Sequence, residues 1–186
     1  MPNWCYNNLK ITANTDAHRA ALVAIMVAAT TDQEIFNVMV PRPDTVFTGD
    51  FGPVEREIHG FNNWYDWNNA NWGTKWDTTV TSSSVDGDTV SLSFDTAWSP
   101  PIAMYNTLVT QGFTVVADYY EPGMMFCGIW DNGDDRCYNN SDNDFFENDE
   151  DGIHLDDTYC ILQEREQYDQ ENLEIDLDGG LSAINE

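Results

Sequence analysis

The chain has 186 residues, 41% hydrophobic and 13% aromatic with seven tryptophans, which suffices for one sizeable core and is too aromatic for a disordered chain. It carries 33 acidic against 7 basic residues, a net charge of −26. That charge argues against direct binding to nucleic acid or anionic membrane and favours cations or basic protein surfaces.

The charge is uneven: residues 1–130 hold 14 acidic and 5 basic residues, whereas residues 131–186 hold 19 acidic and 2 basic, a net −17. Lysine is confined to Lys10 and Lys75, a bias that adaptation to salt also produces. Cys5, Cys127, Cys137 and Cys160 are far apart, with no C-x-x-C pair and no histidine at ligand spacing, against a zinc site. The first residues lack a basic region followed by an apolar run, and no apolar stretch reaches membrane-spanning length. A soluble, cytoplasmic protein with reduced thiols is the expectation.

In chain order, Leu9, Ile11 and Ala13 alternate with Lys10 and Thr12, the period of a half-buried strand. Thr15 is placed to cap a helix over residues 20–29, where Leu22, Ile25, Met26 and Ala29 share a face. Residues 41–77 read as a long irregular insertion holding a short helix near residues 54–59 and a turn near 64–67. Strands follow over residues 78–84 and 88–98, joined across Asp86-Gly87. Ser99 is read as the cap of a second helix with Pro100 at its first position, and Gly112 as its stop. A strand over residues 113–120, a turn at Glu121-Pro122-Gly123 and a last apolar strand over residues 124–130 complete the pattern. The order strand, helix, strand, strand, helix, strand is that of an α+β ferredoxin-like βαββαβ sandwich, here with an additional C-terminal hairpin strand. The organisation is a domain over residues 1–130 and an acidic extension over residues 131–186, packed on it or appended to it.

Met1-Pro2-Asn3-Trp4-Cys5, Trp72-Gly73-Thr74-Lys75-Trp76, Thr96-Ala97-Trp98-Ser99-Pro100-Pro101, and Tyr120-Glu121 followed by Phe126-Cys127-Gly128 together resemble the YubB-like ferredoxin-like family of phage and plasmid proteins. The resemblance spans roughly residues 1–130 and implies a fold and a mobile-element origin; it brings no activity with it, and nothing carries over to the acidic extension.

Two surfaces are candidates for function. Trp72, Lys75, Trp76, Asp77 and Trp98, beside an Asn-rich run, offer flat rings among hydrogen-bonding amides, a surface for a nucleotide or other small ligand. The same residues also suit a purely structural role, with Lys75 paired to Asp77 or lying over a ring. The second surface is acidic: Asp142, Asp144, Glu147, Asp149, Glu150, Asp151, Asp156 and Asp157, then Glu174, Asp176 and Asp178. A helix over residues 158–172 and a strand over residues 173–178 would hold part of it.

Glu147-Asn148-Asp149-Glu150-Asp151-Gly152 approximates half a calcium loop, but Thr158 stands where the bidentate glutamate belongs. No cofactor is expected, beyond weak calcium binding at Glu147, Asp149 and Asp151. His18, His59 and His154 are scattered, and no nucleophile motif or phosphate loop is present. The favoured reading is a non-enzymatic accessory protein that meets a basic host protein through its acidic surface, in its sharpest form as a DNA mimic that inhibits a nucleic-acid-binding protein. A ligand binder or enzyme at the tryptophan surface and a virion assembly protein are the alternatives.

Overall fold

The strand β1 (Trp4–Thr12) lies at the middle of a six-stranded sheet, in keeping with its alternation of buried and open side chains. The computed structural model describes residues 2–168 and Gln170, divided into one compact unit ending at Tyr138 and a second beginning at Asn139.

In the first unit, β1 is followed by α1 (Asp16–Thr30), α2 (Phe36–Met39), α3 (Pro53–His59), α4 (Trp64–Asn71), β2 (Ser82–Asp86), β3 (Thr89–Ala97), α5 (Ile102–Thr110), β4 (Thr114–Glu121), β5 (Phe126–Asp131) and β6 (Asp134–Asn139). The sheet order is β2-β3-β1-β4-β5-β6, and the pairs β2·β3, β3·β1, β1·β4 and β4·β5 are antiparallel. The fold is α+β, an antiparallel sheet with helices.

One sheet face carries the core. Leu9 and Ile11 of β1, Val90, Leu92 and Phe94 of β3, and Val115 and Ala117 of β4 are buried in one cluster with Leu22 and Ile25 of α1 and Met104, Tyr105 and Leu108 of α5. Each large side chain so buried contributes about 1.5–3 kcal/mol. Thr15 caps α1 as its sequence predicts, accepting the backbone N–H of His18.

Four local readings are corrected. The segment 41–77 holds its expected short helix as α3 but is more regular than its composition predicts, because α4 also forms within it and Val46, Phe51, Trp67 and Trp72 join the same core. Asn63 caps α4 by accepting the N–H of Asp66 at 2.9 Å, so the expected turn is a helix of eight residues. The strand expected from residue 78 begins only at Ser82, since residues 78–81 bond irregularly: Thr78 Oγ1 donates to the Asp95 carbonyl and Thr81 N to the Ser93 carbonyl. Ser99 does not cap α5: the cap position is Pro101, and the Ser99 hydroxyl donates instead to the carbonyl of Gly73 at 3.2 Å.

Beyond Trp130 the chain does not leave the sheet. Asn132 (φ 47°) and Gly133 (φ 109°) turn it back into β6, the positive-φ pair that a tight hairpin requires.

In the second unit, α6 (Asn143–Asn148) and α7 (Glu150–Tyr159) are capped by carboxylates: Asp142 accepts from the N–H of Asp144 and Asp149 from that of Asp151. Cys160 adopts a left-handed conformation (φ 55°) and ends α7, after which residues 161–168 are again helical. The single helix expected over residues 158–172 is therefore interrupted at Cys160, and its final residues, with the strand expected over 173–178, lie outside the described residues.

Candidate ligand-binding cleft

The five tryptophan-region residues divide into structural and surface roles. Trp72 is only 2% exposed; its Nε1 donates to the Val40 carbonyl at 2.9 Å and its ring meets Trp67 edge-on at 5.6 Å. It is chiefly a core residue, because its ring faces and its N–H are committed to the interior.

Asp77 is also committed. Its carboxylate accepts the backbone N–H groups of Phe36 at 2.7 Å, Asn37 at 2.9 Å and Thr78 at 2.8 Å, stapling the start of α2 to the segment before β2. Burial nonetheless raises its pKa above the ordinary carboxylate value, with the three N–H donors opposing.

Trp76 and Trp98 are open, 39% and 43% exposed, and their rings stack at 5.9 Å with 28° between planes. Trp98 sits in the left-handed region (φ 67°), its N–H donating to the Asn3 carbonyl at 2.9 Å. Lys75 points its ammonium at this pair, 4.4 Å from the Trp76 centroid, 5.5 Å from that of Trp98 and 5.9 Å from that of Tyr65. Of the two arrangements open to Lys75, the ring contact is the one that forms. Its carbonyl accepts Asn68 Nδ2 at 2.8 Å.

Beside these residues lies a cleft that sequence reading does not assemble. It has a wide arm of about 640 Å³ and a narrow arm of about 270 Å³, and Trp4, Glu34, Trp76 and Asp77 line both. Arg42, Trp64 and Asn68 add to the wide arm, Asp95 and Thr96 to the narrow one. Trp4 arrives through the β1·β3 register, which pairs it with Ala97, and on the same ladder Tyr6 stands opposite Asp95. The signal available in sequence was the open-face alternation of Trp4, Tyr6 and Asn8; the 90 residues between Trp4 and Asp95 hid their meeting.

Thr96, in the narrow arm, belongs to a buried polar chain. Asn7 Nδ2 donates to the Cys5 carbonyl at 2.8 Å and to Thr96 Oγ1 at 2.9 Å, and Thr96 in turn donates to the Ser99 carbonyl at 2.7 Å. Burial pushes the Asp95 carboxyl above its ordinary pKa. Asn68, 1% exposed, has its Nδ2 paired while its Oδ1 is buried without a hydrogen-bond partner.

The acidic residues behave otherwise. Asp142 and Asp149 act as helix caps, Asp156 accepts the N–H of Leu162 at 2.8 Å, and Asp144, Glu147, Glu150 and Asp157 are exposed on α6 and α7. Asp151, half-buried, donates its backbone N–H to the Asp149 cap. Glu174, Asp176 and Asp178 lie outside the described residues. Of the half calcium loop, Glu147 belongs to α6 and Asp151 and Gly152 to α7, and a Cβ on Gly152 would stand 2.1 Å from the Phe145 carbonyl oxygen. Gly152 serves close helix approach, not a metal-binding turn. Among the described residues no group of three or more His, Cys, Asp or Glu side chains is placed to hold a metal ion.

Cys5 and Cys127 are fully buried, and burial drives both thiol pKa values up, that of Cys127 to about 12, so neither supplies a thiolate at neutral pH. His18 lies in α1, His59 at the end of α3 and His154 in α7. No described helix is long and apolar enough to cross a membrane.

No family model matches the chain, and no curated protein matches it. Among solved structures, a protein api92 from Yersinia pseudotuberculosis, of the DUF1281 family, aligns over 75% of this chain and 98% of its own with 12% identity and a TM-score of 0.39.

Proposed function

We propose that this chain is a non-enzymatic binding protein of a phage or related mobile element, which engages a basic, nucleic-acid-binding host protein through the acidic surface of its C-terminal segment. The observation that carries this reading is that the carboxylates stand on helices: Asp144, Glu147, Glu150 and Asp157 are exposed on α6 and α7, whose N-termini are themselves capped by Asp142 and Asp149. Charges held on helices spend less conformational entropy on binding than charges on a coil, and a fixed anionic array can compete for a groove built to receive phosphates. DNA mimicry is the strict form of this idea.

The mobile-element part rests on the resemblance of residues 1–130 to the YubB-like family. The order β2-β3-β1-β4, with α1 and α5 as the connections, supports a ferredoxin-like description of that region, extended by β5 and β6.

The test uses the full chain and a variant with Asp144→Asn, Glu147→Gln, Glu150→Gln and Asp157→Asn, each immobilised in host lysate at low and high salt. A nucleic-acid-binding protein retained by the native chain, released by duplex DNA and lost with the variant is the expected result. Equal retention by both chains would sink the reading.

A second reading, a ligand site at the tryptophan surface, is favoured by one observation: the two-armed cleft carries the partly exposed indoles of Trp4 and Trp76 beside a buried, unpartnered acceptor on Asn68.

A further inference from the structure

The chemistry of this cleft selects its ligand. A nucleotide would bring phosphates to a wall formed by Glu34, Asp77 and Asp95, and among the described residues none that lines the narrow arm is basic. Arg42, the basic residue among the described lining of the wide arm, already lies 5.8 Å from the Trp72 ring centroid. An anion is therefore repelled by the carboxylates of the narrow arm, whereas a cation meets carboxylates and indole rings together, the combination that binds ammonium groups.

Two further observations agree. The protein's own Lys75 places its ammonium 4.4 Å from the Trp76 centroid, so this indole already works as a cation acceptor. Asn68 lines the wide arm, and its Oδ1 is a buried acceptor lacking a donor; an ammonium or guanidinium group, or the amide N–H of the peptide bearing it, would supply one if it reached that atom.

We propose that the cleft lined by Trp4, Glu34, Trp76, Asp95 and Asn68 receives a lysine or arginine side chain presented by a basic polypeptide. This deepens the ligand-site reading and is independent of the helices α6 and α7. The two sites answer to different variants, so one can fail while the other stands.

The experiment follows the indole N–H signals of Trp4 and Trp76 by NMR during titration with three probes: an acetylated, amidated Gly-Lys-Gly-Arg-Gly peptide, n-butylammonium, and adenosine monophosphate. The peptide is expected to shift both signals, n-butylammonium to shift the same signals with at least fivefold weaker affinity, and the nucleotide to shift neither. Asp95→Asn should weaken the peptide at least fivefold. Asp86→Asn, an equal charge change at the exposed β2–β3 hairpin, should leave it within twofold. Trp76→Ala serves as a second probe of the wall, with circular dichroism to establish that it folds.

Equal loss in the Asp95 and Asp86 variants would reduce the effect to diffuse attraction by a polyanion and overturn the proposal. Equal affinity for the free amine and the peptide would overturn the polypeptide part. Preference for the nucleotide would keep the cleft as a site and overturn the cation. Silence of all three probes would overturn the ligand-site reading itself.

Discussion

The Lys75 ammonium lies 4.4 Å from the centre of the Trp76 ring, while the Lys75 carbonyl accepts Asn68 Nδ2. One residue thus joins the stacked indole pair, through its side chain, to Asn68 of α4, through its backbone. The position cannot be read as a lone surface charge.

Replacing Lys75 by Met keeps most of the apolar stem and removes the charge. A half-exposed cation over an indole contributes about 0.5–1 kcal/mol. Lys75→Met is expected to lose roughly that much in urea unfolding, and Lys75→Arg to retain it. A Lys75→Met chain as stable as the native one would show that the ring contact carries no net energy.

Gly73 and Gly87 both have positive φ, 87° and 56°, but their surroundings differ. A Cβ on Gly73 would stand 3.0 Å from the backbone N of Ile102 and 3.1 Å from that of Ala103, at the start of α5, whereas nothing lies within 4 Å of one on Gly87. Gly87→Ala should cost only the left-handed penalty of about 1–2 kcal/mol. Gly73→Ala should cost clearly more, because backbone has to move. Similar urea midpoints for the two variants would contradict the close approach of Gly73 to α5.

These glycines also indicate what is legible in sequence. Local chemistry was readable wherever a residue acts on its own neighbours: Thr15 as a cap, Asp86-Gly87 as a hairpin, and Leu9 and Ile11 as an inward face. Asn132-Gly133 was an equally local signal, hidden by the acidic residues on either side, which drew attention to charge instead of turn geometry. Ser99 failed as a cap because a distant carbonyl, that of Gly73, takes its hydroxyl. The cleft was illegible for the same reason: Trp4, Glu34 and Asp95 meet only through strand register and the Asp77 staple. Of the named tryptophan-region residues, Trp76 and Asp77 line both arms, Trp72 reaches the wide arm from the core, and Lys75 and Trp98 form the stacked group.

Gly152→Ala offers a sign test. In an ordinary helix interior this change stabilises by about 1 kcal/mol. Here the added Cβ would fall 2.1 Å from the Phe145 carbonyl oxygen, far inside van der Waals contact, so the expected result is loss of the α6–α7 pairing. Loss of amide protection in residues 143–159, with the sheet unaffected, is the measurement that checks it. A more stable variant would contradict the packing of α7 on the backbone of α6.

Asp95 ties stability to binding through pH. Burial holds its folded pKa above the ordinary aspartate value of 3.8, so the folded chain keeps this proton more tightly than the unfolded one. The corresponding stability is fully present below 3.8 and is lost as pH rises through the folded pKa. Asp77 shifts in the same direction, also by burial first, whereas Asp88 is held low by Arg19 and its contribution is lost as pH falls. At high salt, where exposed carboxylates are screened, the native urea midpoint should decline as pH rises above about 4. Asp95→Asn should flatten that decline and exceed the native chain in stability at neutral pH. The same substitution removes the charge proposed to receive a cationic side chain, so stability and peptide affinity should move in opposite directions. In the native chain, a bound cation should pull the Asp95 proton off, making peptide affinity rise with pH over this same interval. An affinity indifferent to pH between 4 and 7, with an unchanged stability slope in Asp95→Asn, would show that Asp95 titrates as it does in the unfolded chain and takes no part in the cleft's electrostatics.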